Sequence, residues 1–325
     1  MTIAVLPGLT TDSHRRHALH GEDAAWPEKN CYADLWIGVL QALDLEPLAM
    51  LPFTVAVDFE GDQWTFFKPP LGDLRALYGV DVQELTVWRP LLEHATEHLA
   101  AGKLIATEAD AFWLPDTAGT DYRRAHTKTT ILLATLDVEG ERLGYFHNAG
   151  YFELSGEDFR QTFRVDAAPE LPLFAELIRI DRLVRRPAAE LSALSFELLR
   201  QHFAWRPRTN PCSRFAARMA HDLPAMREHG VQRYHQWAFA SVRQAGAAFE
   251  LLAANLSWLA SQGYSQLGEP AGCFEAIGRA NKTLILKGAR AVATGKPLQA
   301  DELLQAMAAD WERGMGVLRP LLRRT

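Results

Sequence analysis

The chain has 325 residues, 48% of them hydrophobic and 23% charged, which is enough apolar material for one large domain or two ordinary ones. Its net charge of −6 argues against a nucleic-acid partner, and no apolar run approaches the length of a membrane span. Three widely spaced cysteines, Cys31, Cys212 and Cys273, read as reduced thiols rather than as a disulfide framework or a zinc site, so a cytoplasmic protein is expected.

The first apolar run, Ile3–Leu9, is short, is broken by Pro7 and Gly8, and does not read as a signal peptide. Residues 10–29 are polar and space His14, His17 and His20 evenly. Without a completing carboxylate or cysteine pattern they are expected to form a solvated lead-in, not a metal cluster. Asn30 is a favoured N-cap residue, and after it Tyr32, Leu35, Trp36, Val39, Leu40 and Leu43 recur at helical spacing. The spacing predicts a helix from Asn30 with Cys31 in its first turn, where free N–H groups and the helix dipole favour a thiolate.

Glu46-Pro47 ends that helix, and residues 49–57, apolar and partly β-branched, predict a strand. An acidic turn follows, with Glu60, Asp62 and Gln63 on or beside it, in the kind of loop that often carries function. Residues 71–78 and 88–101 have helical periodicity, the second with His94 and His98 four apart and expected at the surface. Residues 103–115 predict a strand, His126 opens a long β-branched strand, and Arg142–His147 forms the next, ending at Asn148. Two antiparallel strands joined by a short turn bring the start of one to the end of the other, so His126 is expected beside His147 and Asn148. A helix-borne Cys, a His opening a strand and an Asn closing the next is the order of papain-like enzymes.

Beyond residue 165, Pro169 and Pro172 flank a linker, and helical patterns fill 173–183, 188–203, 213–229 (interrupted by Pro224), 232–262, 274–294 and 301–318. No strand pattern occurs there. The fold class expected is α+β: a papain-like domain with an antiparallel sheet over 1–165, then an all-α bundle over 166–325. Arg206, Arg208, Arg214 and Arg218 make a local basic cluster, either a solvated face or a partner site.

Ala109–Pro115, the His126 strand, Tyr145–Asn148 and Leu154–Asp158 resemble the butirosin-biosynthesis acyltransferase family, a likeness narrowed by the runs NCYADLW, DFEGDQWTFFK, LPDT and YFHNAG. Within that likeness they are most similar to a bacterial group of unknown function. The resemblance implies a cysteine-nucleophile domain ahead of a helical one. It also implies transfer of an acyl or aminoacyl group from a carrier-protein thioester to a small amine acceptor. The phosphopantetheine arm of the carrier would bring the substrate, with no cofactor bound by the chain itself. The wider relatives are papain-like cysteine peptidases. The chain departs from them in lacking Cys-Gly-Ser-Cys-Trp and the glutamine before the nucleophile, and in having His147-Asn148 where relatives often place Asp.

If Cys31 is the nucleophile, His126 is the expected base and Asn148 or His147 the group that fixes its tautomer. The Cys31 N–H, with Asn30 or Gln63, would hold the oxyanion. Glu60 and Asp62 are expected to bind substrate, and the four arginines to dock the carrier. A cysteine peptidase or amidase, and a catalytically silent binding protein of the same fold, are the competing expectations.

Overall fold

The computed structural model describes residues 2–165 and 173–323. The linker expected around Pro169–Pro172, and with it a boundary at residue 166, lies outside the described residues. In chain order the elements are β1 (Ile3–Ala4), α1 (Cys31–Ala42), β2 (Phe59–Glu60), β3 (Gln63–Trp64), α2 (Leu71–Tyr78), β4 (Asp81–Glu84), α3 (Leu91–Ala100), β5 (Leu104–Asp110) and β6 (Lys128–Asp137). They continue with β7 (Arg142–His147), β8 (Gly150–Ser155), α4 (Glu157–Thr162), β9 (Ala175–Arg179), α5 (Ala188–Phe203), α6 (Pro211–Ala238), α7 (Gln244–Ser261), α8 (Gly268–Thr294) and α9 (Asp301–Leu322). Two compact units result. One comprises Met1–Gly21, Asn30–Pro47 and Leu71–Arg185, and the other Glu22–Lys29, Leu48–Pro70 and Arg186–Thr325.

The first unit is α+β, built on a seven-stranded sheet in the order β4-β9-β5-β6-β7-β8, with β1 beside the far end of β6. Every pairing is antiparallel. Alternation along the strands divides the sheet into two faces. Ile105, Ile131, Leu133, Tyr145 and Leu177 point one way and join α3 and α4 residues such as Ala95 and Phe159 in a buried core. Ala106, Leu132, Phe146 and Glu176, which are cross-strand partners of one another, point the other way. There α1 covers them. Gly38 of α1 packs against the Phe146 ring, and the Tyr32 hydroxyl donates to Glu176 at 2.8 Å.

Two expected elements differ. Residues 47–56 form a 3-10 segment instead of a strand, with Pro52 inside it and the Thr54 hydroxyl donating to the Leu51 carbonyl. Because both sides of this run are buried, its apolar pattern carried no period to distinguish the two. Likewise residues 173–183 hold a strand, β9, and not a helix, inserted between β4 and β5 in the sheet. Four of its five residues are buried, so the sequence shows no alternation.

The second unit is helical apart from the short β2–β3 hairpin. The bend in α6 at Gly230 (φ 82°) falls between the expected helices 213–229 and 232–262, and the second of these is interrupted by a five-residue π turn, Phe239–Arg243, that leads into α7. Its core runs through edge-packed and stacked rings, from Phe59 to Phe215 at 5.5 Å and from Trp64 to Phe249 at 5.8 Å to Phe274 at 6.0 Å. The Glu250 carboxylate gathers the N–H groups of Ala25 and Trp26 and pairs with the buried Lys29 ammonium at 3.4 Å, while the Trp26 indole donates to Gly278. No helix among the described residues is long and apolar enough to cross a membrane.

Candidate functional site

Cys31 is the first residue of α1. The Asn30 side-chain oxygen accepts from the N–H groups of Tyr32 (3.1 Å) and Ala33 (2.8 Å), satisfying two donors that would otherwise be orphaned there. The Cys31 N–H has no hydrogen-bond partner among the described residues and sits at the positive end of the helix. Of the three cysteines only Cys31 is partly exposed. Cys212 is buried, and burial, helped by the nearby Asp310 charge, pushes its thiol far above the ordinary range. Cys273 is also buried and accepts a hydrogen bond from Arg313 Nε at 3.1 Å.

Three histidines of the same unit are each held by an aspartate. His20 donates from Nε2 to Asp34 at 3.0 Å, and both side chains are inaccessible. Asp34 follows Cys31 by three residues on α1, so thiol and carboxylate lie on one face of the helix, a turn apart. The bond to Asp34 engages Nε2 of His20, and its Nδ1 is buried and has no partner. The expected solvated lead-in is thus in part interior. His14 also packs edge-on to Phe146, and burial followed by the charges of Arg16 and His20 lowers its pKa. His94, expected at the surface, is buried too, beside Trp88. No group of three His, Cys, Asp or Glu residues is placed to hold a metal ion among the described residues.

His126 donates from Nδ1 to Asp110 at 2.6 Å and stacks on Phe112 at 4.4 Å, with 72% of its side chain exposed. It lines a cleft of about 550 Å³ with Asp110, Trp113, Lys128 and Thr162. Asp110 lies on the α1 side of the sheet, four residues along β5 from Ala106, whose cross-strand partner Glu176 holds Tyr32. At strand spacing that is about 13 Å.

His147 is inaccessible and points to the opposite side of the sheet from α1, with Tyr145. Its Nδ1 donates to Asp116 at 2.6 Å and its Nε2 meets the Thr129 hydroxyl at 2.7 Å. Asn148 has a left-handed backbone (φ 44°) in the tight turn to β8. His126 therefore does not stand against His147 or Asn148, because the hairpin is unequal. β6 has ten residues and β7 six, so the ladder that begins at Asp137–Arg142 ends before it reaches His126. No hydrogen bond joins His126 or His147 to Cys31 among the described residues.

Glu60 and Gln63 face each other across the β2–β3 hairpin of the second unit, with Asp62 in its turn. In the arginine cluster, Arg214 is paired with Asp58, and Arg218 with Asp222 at 2.7 Å and Asp62 at 4.0 Å. Only Arg206 and Arg208 remain without a carboxylate among the described residues. Sequence reasoning missed the aspartates that hold the histidines. Asp34 was legible, since it follows Cys31 by one turn; the pairing with His20 depends on how the lead-in folds back.

Residues 15–180 match the DUF1839 N-terminal domain, and residues 188–320 match the DUF1839 C-terminal domain. No curated protein matches the chain.

Proposed function

The chain belongs to the DUF1839 family, carrying both of its domains, and we propose that it is a cysteine-dependent acyl- or aminoacyltransferase with Cys31 as nucleophile. The observation that carries this reading is one thiol that is partly exposed, at a capped helix N-terminus, one turn from a buried His–Asp pair. His20 Nδ1 takes the thiol proton, and Asp34 holds the ring in the tautomer that can accept it. The Cys31 sulfur attacks the carbonyl carbon of a carrier-bound thioester, and the Cys31 N–H stabilises the developing oxyanion. The C–S bond to the carrier then breaks, and the proton goes to the departing thiolate. An amine next attacks the acyl-cysteine; its C–N bond forms, the C–S bond to Cys31 breaks, and the amine proton returns through His20 to the sulfur.

Thioester exchange is nearly isoenergetic, so the protein mainly supplies orientation and exclusion of water. The carrier as donor and the amine as acceptor rest on the resemblance to the butirosin-type enzymes. A papain-like fold for the first unit, and a cytoplasmic setting, belong to the same proposal. His126, oriented by Asp110 and lining the cleft, is the alternative base.

Intact-mass analysis after mixing the protein with acyl-carrier thioesters tests the reading. Acylation of the wild type, absent in Cys31→Ala and slowed at least tenfold in His20→Gln, is expected. Slowing in His126→Gln with none in His20→Gln would move the base to the cleft. Absence of any acyl adduct, together with cleavage of simple peptides through Cys31, would replace transfer by hydrolysis.

A further inference from the structure

The loop after α5 and the end of α9 in the helical unit gather positive charge that has no carboxylate partner among the described residues. Arg206 lies over the Phe203 ring at 4.2 Å and donates to the Phe203 carbonyl at 2.8 Å. Arg319 and Arg323, four apart on the last turn of α9 and its cap, are close enough that their charges, after burial, lower the pKa of Arg206. Asn210 fixes the loop against α9 by donating to the Ala308 carbonyl and to Glu312. Arg206, Arg208, Arg319 and Arg323 have no carboxylate partner among the described residues, in a chain whose net charge is −6. Trp205, 81% exposed, stands in the same loop.

An exposed indole amid unpaired guanidinium groups is the composition of an interface anchor, for which Trp and Arg are the favoured residues. Like charges held together repel, and a partner must supply the missing negative charge. Several guanidinium groups spread around an exposed indole match a broad acidic surface better than a small anion. The acidic net charge of the whole chain disfavours a polynucleotide.

We infer that Trp205, Arg206, Arg208, Arg319 and Arg323 form the docking surface for the acidic face of the carrier protein, an inference that rests on the transferase reading. It keeps Arg206 and Arg208 of the expected cluster and replaces Arg214 and Arg218 of α6, whose charges are already taken, by Arg319 and Arg323 at the α9 end.

The test uses the full chain and a purified phosphopantetheinylated acyl carrier protein. Binding is measured by calorimetry for the wild type, Arg206→Glu/Arg319→Glu and Trp205→Ala. Acylation of Cys31 is followed separately with a small N-acetylcysteamine thioester. Charge reversal is expected to weaken carrier binding by at least about tenfold, with a steep salt dependence in the wild type that the variant loses. Trp205→Ala should weaken it severalfold, and neither should change the rate with the small thioester. Equal carrier binding by wild type and variants, or no binding to either, would overturn the docking surface even if the small thioester still acylates Cys31. Displacement of the carrier by single-stranded nucleic acid at equal charge concentration would also overturn it in favour of a polynucleotide. Failure of the small thioester alone would remove the transferase reading and leave the binding comparison to decide the surface.

Discussion

His147 donates from Nδ1 to Asp116 at 2.6 Å, with both side chains sealed from solvent. Asp116 also accepts from the Tyr145 hydroxyl, and the Thr129 hydroxyl closes the far side of the ring, so every polar atom of the imidazole is used. The arrangement has the order of a hydroxyl–imidazole–carboxylate triad but is dry and on the sheet face away from α1, which makes it a fastening of the sheet to the 115–117 turn. His147→Ala should leave Asp116 and Thr129 unsatisfied in the interior and cost about 2–4 kcal/mol of stability. Urea denaturation would measure it. Cys31 alkylation in the folded variant should proceed at the wild-type rate; a large fall would place His147 in the chemistry after all.

Stability should fall at alkaline pH. Burial, and then the charge of Asp116, pushes the Tyr145 phenol far above its ordinary 10.0, and burial pushes the Cys212 thiol far above 9.0. Both groups stay neutral in the folded chain while they ionise in the unfolded one. The stability they contribute is therefore whole below pH 9 and is lost as pH rises. Each such group steepens the loss by about 1.4 kcal/mol per pH unit once its unfolded pKa is passed. Tyr145→Phe should lower stability at neutral pH by about 1 kcal/mol, through the lost bond to Asp116. It should also make the decline above pH 10 shallower, as read from chemical denaturation at a series of pH values. An unchanged slope would mean that the phenol ionises in the folded protein.

Iodoacetamide followed by peptide mapping should label Cys31 first. Cys212 and Cys273 should follow only on unfolding, because burial shields both. Asn30→Ala removes the oxygen that caps the N–H groups of Tyr32 and Ala33 and should cost about 1 kcal/mol. It should also slow labelling of Cys31, since the helix end that orients the thiol frays. Labelling of Cys212 or Cys273 as fast as Cys31 in the folded protein would remove Cys31 from its assigned role.

The helix beginning at Cys31 was legible because an N-cap residue and a long apolar stripe agree there. The β6–β7 hairpin was legible from β-branched runs around a turn with Gly140, and its first pair, Asp137–Arg142, follows from that turn. What the turn could not give was the length of the ladder. The expected meeting of His126 with His147 assumed strands of equal length, and the extra residues of β6 carry His126 past the end of β7. Side-chain alternation then sends His147 to the face away from α1. β9 escaped detection because a strand covered on both faces has no period to read. The His20–Asp34 pair joins a polar segment to a helix face, and such a contact is set by tertiary folding and has no local signature.

Gly288 of α8 tests how tightly the helical unit is packed. A Cβ there would lie 2.0 Å from the Tyr234 hydroxyl and 2.5 Å from its ring. Tyr234 is fully buried and donates to the Ile285 carbonyl at 2.9 Å, so the ring has little freedom to retreat. On propensity alone Gly→Ala in a helix interior stabilises by about 1 kcal/mol. Overpacking against an anchored ring costs about 1–3 kcal/mol and should win, giving a net loss for Gly288→Ala. The double variant with Tyr234→Ala should lose less than the two single changes summed, because the clash is gone once the ring is removed. Thermal denaturation of the four proteins measures the coupling, and additive losses, or a Gly288→Ala protein more stable than the wild type, would mean that α6 and α8 do not meet at these residues.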